Sequence, residues 1–295
     1  MLLAELGSIS KAARELNLSP AAIHKQLKLL EVELGVKLYE KLPGRIRLTP
    51  AGHVVVPHFR SLLECARSAM DSSAEAKGTP QGLVRIGGGM SFSVYLLPGL
   101  IARYRKRFPR VDLFVRAERL PGLIEDLESD RLDLAFLPTD ELLAPAKNRL
   151  SIEATWKYEF VIVANRRFRS RTCSLAELQT QPFILYGKEF QLIEDYFEEM
   201  KVPLRVIMRF DDNDAIKAMV LAGLGMSVLP IWATDASIRS GELSLIRQRE
   251  RPLFSNIVMV KRKSGYVSKA TQEFIDMTKE FGFGSSRLVQ SLGSN

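Results

Sequence analysis

The sequence predicts a multidomain protein with an all-α N-terminal segment carrying a short hairpin, one long helix, and an α/β part. Apolar residues recur every three or four positions through most of the first 75 residues, which is the helical period. From residue 83, short apolar runs alternate with helical patterns, which predicts a mainly parallel sheet. The 295 residues, 46% of them hydrophobic, are enough for two or three cores.

The stretch from Ser8 to Gly52 predicts helix, tight turn and helix. Ser8 and Ser19 are typical N-caps, and Pro20 follows Ser19 at a first helical position, where its missing N–H costs nothing. One face of the second helix should be buried, because apolar residues recur at helical spacing: Ile23, Leu27, Leu30 and Leu34. Small, polar and cationic residues on the opposite face suit a DNA major groove: Ala21, His24, Lys25 and Lys28.

A basic hairpin should follow the second helix. Residues 37–39 and 46–48 alternate like two strands, joined by a turn over residues 42–45. Arg45 and Arg47 belong to this hairpin, and a basic loop beside a recognition helix can reach phosphates or a minor groove.

Three signatures in order, SISKAARELNLS, LEVELGVKLYEK and IRLTPAG, resemble the winged helix-turn-helix of LysR-type transcriptional regulators. The alternative is an ordinary helical hairpin in another kind of domain. Together with the hairpin arginines, this interpretation gives a candidate DNA-binding set: Ser19, Pro20, Ala21, His24, Lys25, Lys28, Arg45 and Arg47. Pro20 and His24 depart from common family residues, and the family's first helix looks truncated here, so we expect a longer natural start or a trimmed N-terminus.

A long helix is predicted after Thr49 and Pro50, its cap and first position. Apolar residues alternate four and three apart along it, as in a coiled-coil seam: Val55, Phe59, Leu62, Ala66 and Ala69. The pattern resembles the family's dimerisation linker, although a helix packed on its own domain is the alternative. Pro57 should kink or interrupt it, and residues 78–82 should form a hinge.

The phrases LLPGLIARYRKRFPRVDLFV and LIEDLESDRLDLAFL, with AIKAMVLAGLGMSVLP further on, resemble the family's effector domain, an α/β fold of two lobes similar to a type 2 periplasmic binding protein. The resemblance implies these boundaries: 1–52 for the winged helix-turn-helix DNA-binding domain, 53–78 for the linker helix and hinge, and 79–295 for the effector-binding domain. Within the last, we expect lobe I at about 83–157 and 262–281, lobe II at about 158–261, and a disordered tail at 282–295.

A small-molecule effector should bind beyond the carboxyl ends of the strands, between the lobes. Amides after the predicted Gly87-Gly88-Gly89 turn favour an anion such as a carboxylate, and Arg119 is a further candidate partner for it. Phe92 and Tyr186 could cover an apolar ligand. Residue type and family resemblance give the candidate effector-binding set: Gly89, Ser91, Phe92, Ser93, Thr139, Tyr186, Gly187, Asn213 and Gly225.

The charge and the residue composition oppose two other classes of protein, an enzyme and a stand-alone solute-binding protein. The net charge of +8 favours an anionic partner, and residues 1–60 hold nine Lys/Arg against five Asp/Glu. All three histidines, His24, His53 and His58, lie in this stretch, which excludes a His-based triad or metal site in the α/β part. Cys65 and Cys173 form no disulfide framework. A stand-alone solute-binding protein is opposed by the missing signal peptide.

These interpretations together predict a sequence-specific LysR-type regulator, not an enzyme, without a cofactor and without a membrane span. Its expected partners are promoter DNA, a small-molecule effector, a second copy in a homodimer or homotetramer, and RNA polymerase. We expect it in the bacterial cytoplasm, at the nucleoid when bound to DNA. The alternative is a cytoplasmic small-molecule-binding protein whose DNA binding is impaired by the incomplete first helix.

Overall fold

A computed structural model describes residues 2–42, 45–75, 80–139, 149–168, 172–187, 191–246 and 252–283. The chain divides into two compact units, Met1–Ala76 and Lys77–Asn295. Parts of three sequence predictions fall outside the described residues: the hairpin tip at 43–44, the hinge at 78–79 and the tail at 284–295. No helix in the described part of the chain is both long and apolar enough to cross a membrane.

The first unit contains the predicted helix-turn-helix and hairpin. Its elements are α1 (Leu2–Leu6), α2 (Ile9–Glu15), α3 (Pro20–Leu34), β1 (Tyr39–Leu42), β2 (Arg45–Leu48) and α4 (Pro50–Glu75). Ser8 and Ser19 cap α2 and α3 through their hydroxyls, as predicted. Asn17, with φ of 52°, turns the chain between these two helices.

One prediction about this unit was wrong, and another was wrong in part. No residue of α3 is fully buried, since α1, α2 and the hairpin are too small to cover it. Leu34 is 40% exposed, and Ile23, Leu27 and Leu30 are half-buried. The interruption predicted at Pro57 is also absent, because α4 is one continuous helix from Pro50 to Glu75, whereas the alternative of a kink at Pro57 stays a prediction. Proline has no backbone N–H, so the carbonyl four residues earlier, at position 53, loses its donor within the helix. Residue 53 is exposed near the start of α4, where water can donate to that carbonyl instead.

The first lobe of the second unit is built on parallel strands. Its elements are β3 (Gly82–Gly88), α5 (Met90–Tyr95), α6 (Leu97–Arg107), β4 (Val111–Ala117), α7 (Leu120–Glu128) and β5 (Leu134–Pro138), with the C-terminal α12 (Lys269–Phe281). β3 pairs in parallel with β4 and β5. Core residues of this lobe include Leu100, Phe136 and Phe274, all at most 1% exposed.

The predicted Gly87-Gly88-Gly89 turn was wrong for its first two residues, which complete β3. A Cβ on Gly87 would lie 2.5 Å from Leu132 Cδ1, and one on Gly88 would lie 2.9 Å from Phe92 Cδ1. These glycines therefore allow close packing. Only Gly89 lies outside the strand, where it is the N-cap residue of α5.

The second lobe contains more elements than predicted. They are α8 (Leu175–Thr180), β7 (Pro182–Tyr186), α9 (Leu192–Glu199), β8 (Arg205–Phe210), α10 (Asn213–Leu221), β9 (Ser227–Pro230), α11 (Ile231–Arg239) and β10 (Leu243–Ile246). Neither α11 nor β10 was predicted from the sequence. Asp212 caps α10 by accepting from the amides of Asp214 and Ala215, each at 2.9 Å.

Two long strands join the lobes: β6 (Leu150–Asn165) and β11 (Leu253–Arg262). They pair antiparallel, and β6 also pairs antiparallel with β9 and β10 of the second lobe. The seven-stranded sheet has the order β10-β6-β11-β5-β3-β4, with β9 also on β6. It is therefore mixed, not mainly parallel as predicted, because both crossing strands run against their neighbours.

The first residues of the predicted disordered tail are ordered against the first lobe. Phe283 follows α12, and its ring lies 5.0 Å from Trp156, 5.4 Å from Phe92 and 5.7 Å from Phe136, between centroids. An aromatic side chain that completes an aromatic cluster of this size contributes to the core. The Gly/Ser content of the segment concealed this contact.

Candidate functional site

Two predicted effector residues meet across the lobes. Ser91 lies on α5, beyond the carboxyl end of β3, and Asn213 begins α10 in the second lobe. Asn213 Nδ2 donates to Ser91 Oγ at 3.1 Å. Ser91 is 8% exposed and Asn213 is half-buried, so each polar group satisfies the other in a partly dry position.

Other predicted residues of the first lobe are engaged locally. Phe92 is 3% exposed and stacks on Phe136 at 4.3 Å between centroids, so it is a core residue and not an open wall of the cleft. Ser93 Oγ donates to the carbonyl of the exposed Gly89 at 3.1 Å. The hydroxyl of Thr139 donates to the Asn256 carbonyl at 3.2 Å.

In the second lobe, Tyr186 Oη donates to the Asp211 carbonyl at 2.5 Å, which ties β7 to the residues just before α10. Gly187 follows it and is half-buried. Gly225 has a packing reason to be glycine, since a Cβ there would lie 2.6 Å from the Pro182 carbonyl oxygen. That the nine candidate effector-binding residues contact an effector stays a prediction.

A second interlobe contact was missed by the sequence interpretation. Tyr95 on α5 donates its hydroxyl to Asp214, and Lys217 donates to the same hydroxyl. Lys217 Nζ also lies 2.9 Å from Asp214 Oδ1 and 4.5 Å from the centre of the Tyr95 ring. We call Tyr95, Asp214 and Lys217 the interlobe triad. Its only advance signal was the i, i+3 spacing of Asp214 and Lys217 next to Asn213.

The interlobe triad shifts the ionisation of its members. Burial disfavours the charged forms of Asp214 and Lys217, but hydrogen bonds within the triad and their opposite charges outweigh it. The pKa of Asp214 is therefore lowered, and the pKa of Lys217 is raised. Burial and the hydrogen bond to Asp214 raise the pKa of Tyr95. At neutral pH the interlobe triad therefore consists of an uncharged Tyr95 hydroxyl between a negative Asp214 carboxylate and a positive Lys217 ammonium group.

Arg119, the candidate carboxylate partner, pairs with Asp211 of the second lobe. Both side chains are 63% exposed, so water and salt screen the pair and its contribution to stability is small. It marks the rim between the lobes, where an incoming anion would compete with Asp211.

The predicted DNA-reading face of α3 is open to solvent. Ala21, His24, Lys25 and Lys28 are all exposed. Ser19 and Pro20 begin the helix, where Ser19 Oγ accepts from the Ala22 amide at 3.1 Å.

The two hairpin arginines differ in their surroundings. Arg47 donates from Nε and Nη2 to Glu40 Oε1, at 2.8 and 2.6 Å, across the β1–β2 ladder. Arg45 is exposed near the hairpin tip. Arg45 is therefore more available than Arg47 to bind a phosphate, because Arg47 would first have to break its hydrogen bonds to Glu40.

The predicted dimerisation seam becomes more exposed along α4. Val55 and Phe59 are half-buried, whereas Leu62, Ala66 and Ala69 are exposed. Leu62 and its neighbour Leu63 leave 63% and 59% of their surface in solvent. An apolar stripe of this kind on a long helix is typical of an interaction surface.

Across the described ranges, no cluster of His, Cys, Asp and Glu side chains could hold a metal ion. Cys173 is buried in the core of the second lobe and is not part of a disulfide.

Family comparisons cover nearly the whole chain. A family described as "LysR substrate binding domain" matches residues 77–282, and one described as "Bacterial regulatory helix-turn-helix protein, lysR family" matches residues 1–53. The HTH-type transcriptional activator CmpR of Synechocystis is 27% identical over 280 residues, covering 93% of this chain and 90% of CmpR. The transcriptional dual regulator GltC of Bacillus subtilis is 31% identical, covering 71% of each chain.

Solved structures share the fold. Full-length CbnR complexed with its target DNA is 22% identical, with a TM-score of 0.66 over 94% of this chain and 96% of CbnR. The effector-binding domain of QuiR in complex with shikimate is 16% identical, with a TM-score of 0.58 over 68% of this chain and 97% of that domain. The two-lobed architecture predicted from the sequence is thereby confirmed.

Proposed function

The chain belongs to the LysR family of bacterial transcriptional regulators, and from that premise we propose that a dimer reads promoter DNA under the control of a small molecule bound between its lobes. Residues 1–52 would read the DNA, 53–78 would pair the two copies, and 79–295 would bind the effector. The match of residues 1–53 to the family's helix-turn-helix disfavours the alternative, a small-molecule-binding protein with impaired DNA binding.

The Ser91–Asn213 hydrogen bond carries the effector part of this proposal. It joins the two lobes at the strand ends, where ligands bind in open α/β sheets. A ligand with a hydroxyl, carboxylate or amide group could replace this bond by forming one hydrogen bond with Ser91 and one with Asn213. Such a ligand would change how the lobes meet, which is the differential contact that a conformational response requires.

The exposed basic residues of α3 and the hairpin support the DNA part. In a dimer, two copies of α3 would enter successive major grooves of a pseudo-palindromic site. A lobe movement passed to α4 would change the separation of the two copies. Assembly of two dimers, contact with RNA polymerase, action in the cytoplasm and the absence of catalysis are further parts of this proposal.

Two measurements on the full chain test the proposal. A metabolite collection is first screened by thermal shift, because a ligand that binds only the folded chain raises its melting temperature. DNA is then selected from a random duplex library and titrated with and without the ligand found. We expect the ligand to change DNA affinity or spacing preference, since allostery requires coupling between the two sites. A ligand that leaves both unchanged would refute the effector mechanism, and failure to retain any duplex would refute the DNA mechanism.

A further inference from the structure

Leu38, at the start of the hairpin, is held by the recognition helix α3. Its amide donates to Glu31 Oε1 at 2.7 Å, and the Tyr39 amide donates to the same oxygen at 3.2 Å. Leu38 is 1% exposed, so its backbone groups need partners within the protein. Bonds from amides to a carboxylate are charge-assisted and stronger than bonds between neutral groups.

The same residue is held from the other side by the start of the linker helix α4. The Thr49 amide donates to the Leu38 carbonyl at 2.9 Å. The Thr49 hydroxyl donates to the Lys37 carbonyl at 2.6 Å and accepts from the Gly52 amide at 3.0 Å. One hydroxyl therefore caps α4 and fixes it to the residue before Leu38.

Gly52 completes this arrangement. A Cβ at position 52 would overlap the Leu38 carbonyl oxygen and would lie 2.9 Å from Leu48 Cδ2. The first turn of α4 therefore packs directly on the hairpin backbone, at a separation only glycine permits. The LEVELGVKLYEK and IRLTPAG signatures thus contribute Glu31, Thr49 and Gly52 to one contact, which we call the Leu38 junction.

We propose that Glu31, Thr49 and Gly52 are positioning residues that fix the angle between the recognition helix and the linker helix through the Leu38 backbone. The inference rests on the proposed function, in which paired linkers set the separation of two recognition helices. A rigid junction makes each recognition helix follow its linker as one body. The spacing of half-sites on the DNA then reports the linker geometry directly.

The test separates positioning from simple support of the fold. Full-length Thr49→Val removes both hydroxyl bonds at constant shape, Thr49→Ser retains them, and Glu31→Gln weakens the carboxylate contact. Glu33→Gln is the matched control for Glu31, since Glu33 is exposed on the same helix and is bonded to no residue in the described part of the chain. Each variant is titrated with selected duplexes that carry one half-site, or two half-sites at the selected spacing and at spacings about one or two base pairs different.

We expect Thr49→Val and Glu31→Gln to keep one-half-site affinity within about twofold and to lose spacing preference about tenfold, the factor that corresponds to roughly one hydrogen bond. Thr49→Ser and Glu33→Gln should behave like the unsubstituted chain. Unchanged spacing preference in Thr49→Val would overturn the proposal, as would equal losses on one and two half-sites together with a lower melting temperature. If the unsubstituted chain binds no duplex, the proposed function itself fails.

Discussion

Ser91 and Asn213 lie in different lobes, 122 residues apart in the chain, and hydrogen-bond to each other at 3.1 Å. Each is a candidate effector contact, so the bond between the lobes already uses the groups that a ligand would need. Effector binding would exchange one interlobe bond for others, which makes the lobe interface a competitor of the ligand.

The hydrogen bond between Ser91 and Asn213 should couple the effects of substitutions at these two positions on the free energy of unfolding. A double-mutant cycle with Ser91→Ala and Asn213→Ala should give about 0.5–1.5 kcal/mol of coupling in the free energy of unfolding, because the two side chains bond to each other. Urea unfolding of the full chain measures it. Ser93→Ala is the control, since Ser93 bonds to Gly89 within its own turn. Equal coupling of Asn213 to Ser93 and Ser91 would contradict the assigned partner.

Asp214 should make stability depend on acid pH. Its pKa lies below the ordinary value of 3.8 in the folded chain, because hydrogen bonds from Tyr95 and Lys217 outweigh its burial. The ionised group therefore stabilises the fold above the unfolded pKa, and this contribution is lost as pH falls through the lower folded value. Asp214→Asn should show a smaller drop in unfolding free energy between about pH 6 and about pH 3.

The control for that titration is Asp112→Asn, which removes an exposed carboxylate on β4. Asp112→Asn should leave the pH dependence close to that of the unsubstituted chain. If both substitutions flatten the curve to the same degree, the interlobe triad is not the source of the effect.

Exposed cations of the DNA-reading unit should determine salt dependence. Lys28→Ala and Arg45→Ala should each weaken DNA binding and reduce the slope of log affinity against log salt by about 1, if each neutralises one phosphate. Arg47→Ala should have a smaller effect, since Arg47 bonds to Glu40. Fluorescence anisotropy at several salt concentrations measures this. Lys263→Ala, an exposed lysine of the other unit, should change neither value.

The exposed stripe on α4 should mediate dimerisation. Leu62→Glu places a charge where 63% of an apolar side chain is in solvent, so it should weaken self-association without unfolding the monomer. Sedimentation velocity over a concentration series measures the change. His58→Glu, at an exposed position outside the predicted seam, is the matched control. Unaltered association of Leu62→Glu would place the dimer contact elsewhere.

The glycines after Ile86 should differ in their tolerance of a side chain. Gly87→Ala should lower the unfolding free energy by about 1–3 kcal/mol, because the new Cβ meets Leu132 at 2.5 Å in a packed core. Gly89→Ala should have a much smaller effect, since nothing lies within 4 Å of a Cβ there. Chemical denaturation of both variants distinguishes a packing requirement from a flexible turn.

The sequence predicted well those elements that depend on interactions between residues close together in the chain. Ser8 and Ser19 cap helices as their positions before apolar periodic segments indicated. The helix-turn-helix and the long helix lie where spacing placed them, but the first hairpin strand covers Tyr39–Leu42 and not residues 37–39, so the turn is shorter than predicted. These features depend on neighbours within a few residues, which a single sequence displays directly.

Features formed by distant residues were not predictable in this way. Tyr95 and Lys217 meet only because α5 and α10 face each other across the lobes, and neither residue belongs to a motif with a known spacing. Phe92 resembled a ligand cover until Phe136 and Phe283 were seen to enclose it. The strand pairing of β6 was likewise hidden, since an alternating run does not reveal its partners.

β6 has a consequence for the thermodynamics of the effector unit. Its 16 residues supply ladder partners to β11 and also to β9 and β10, so one strand connects the hydrogen-bonded sheet of the first lobe to strands of the second. Neither lobe can melt without exposing unpaired backbone groups in the other, and the unit should denature in one cooperative step. By the same reasoning, the lobes of two relatives cannot be recombined as separate modules at any cut within β6.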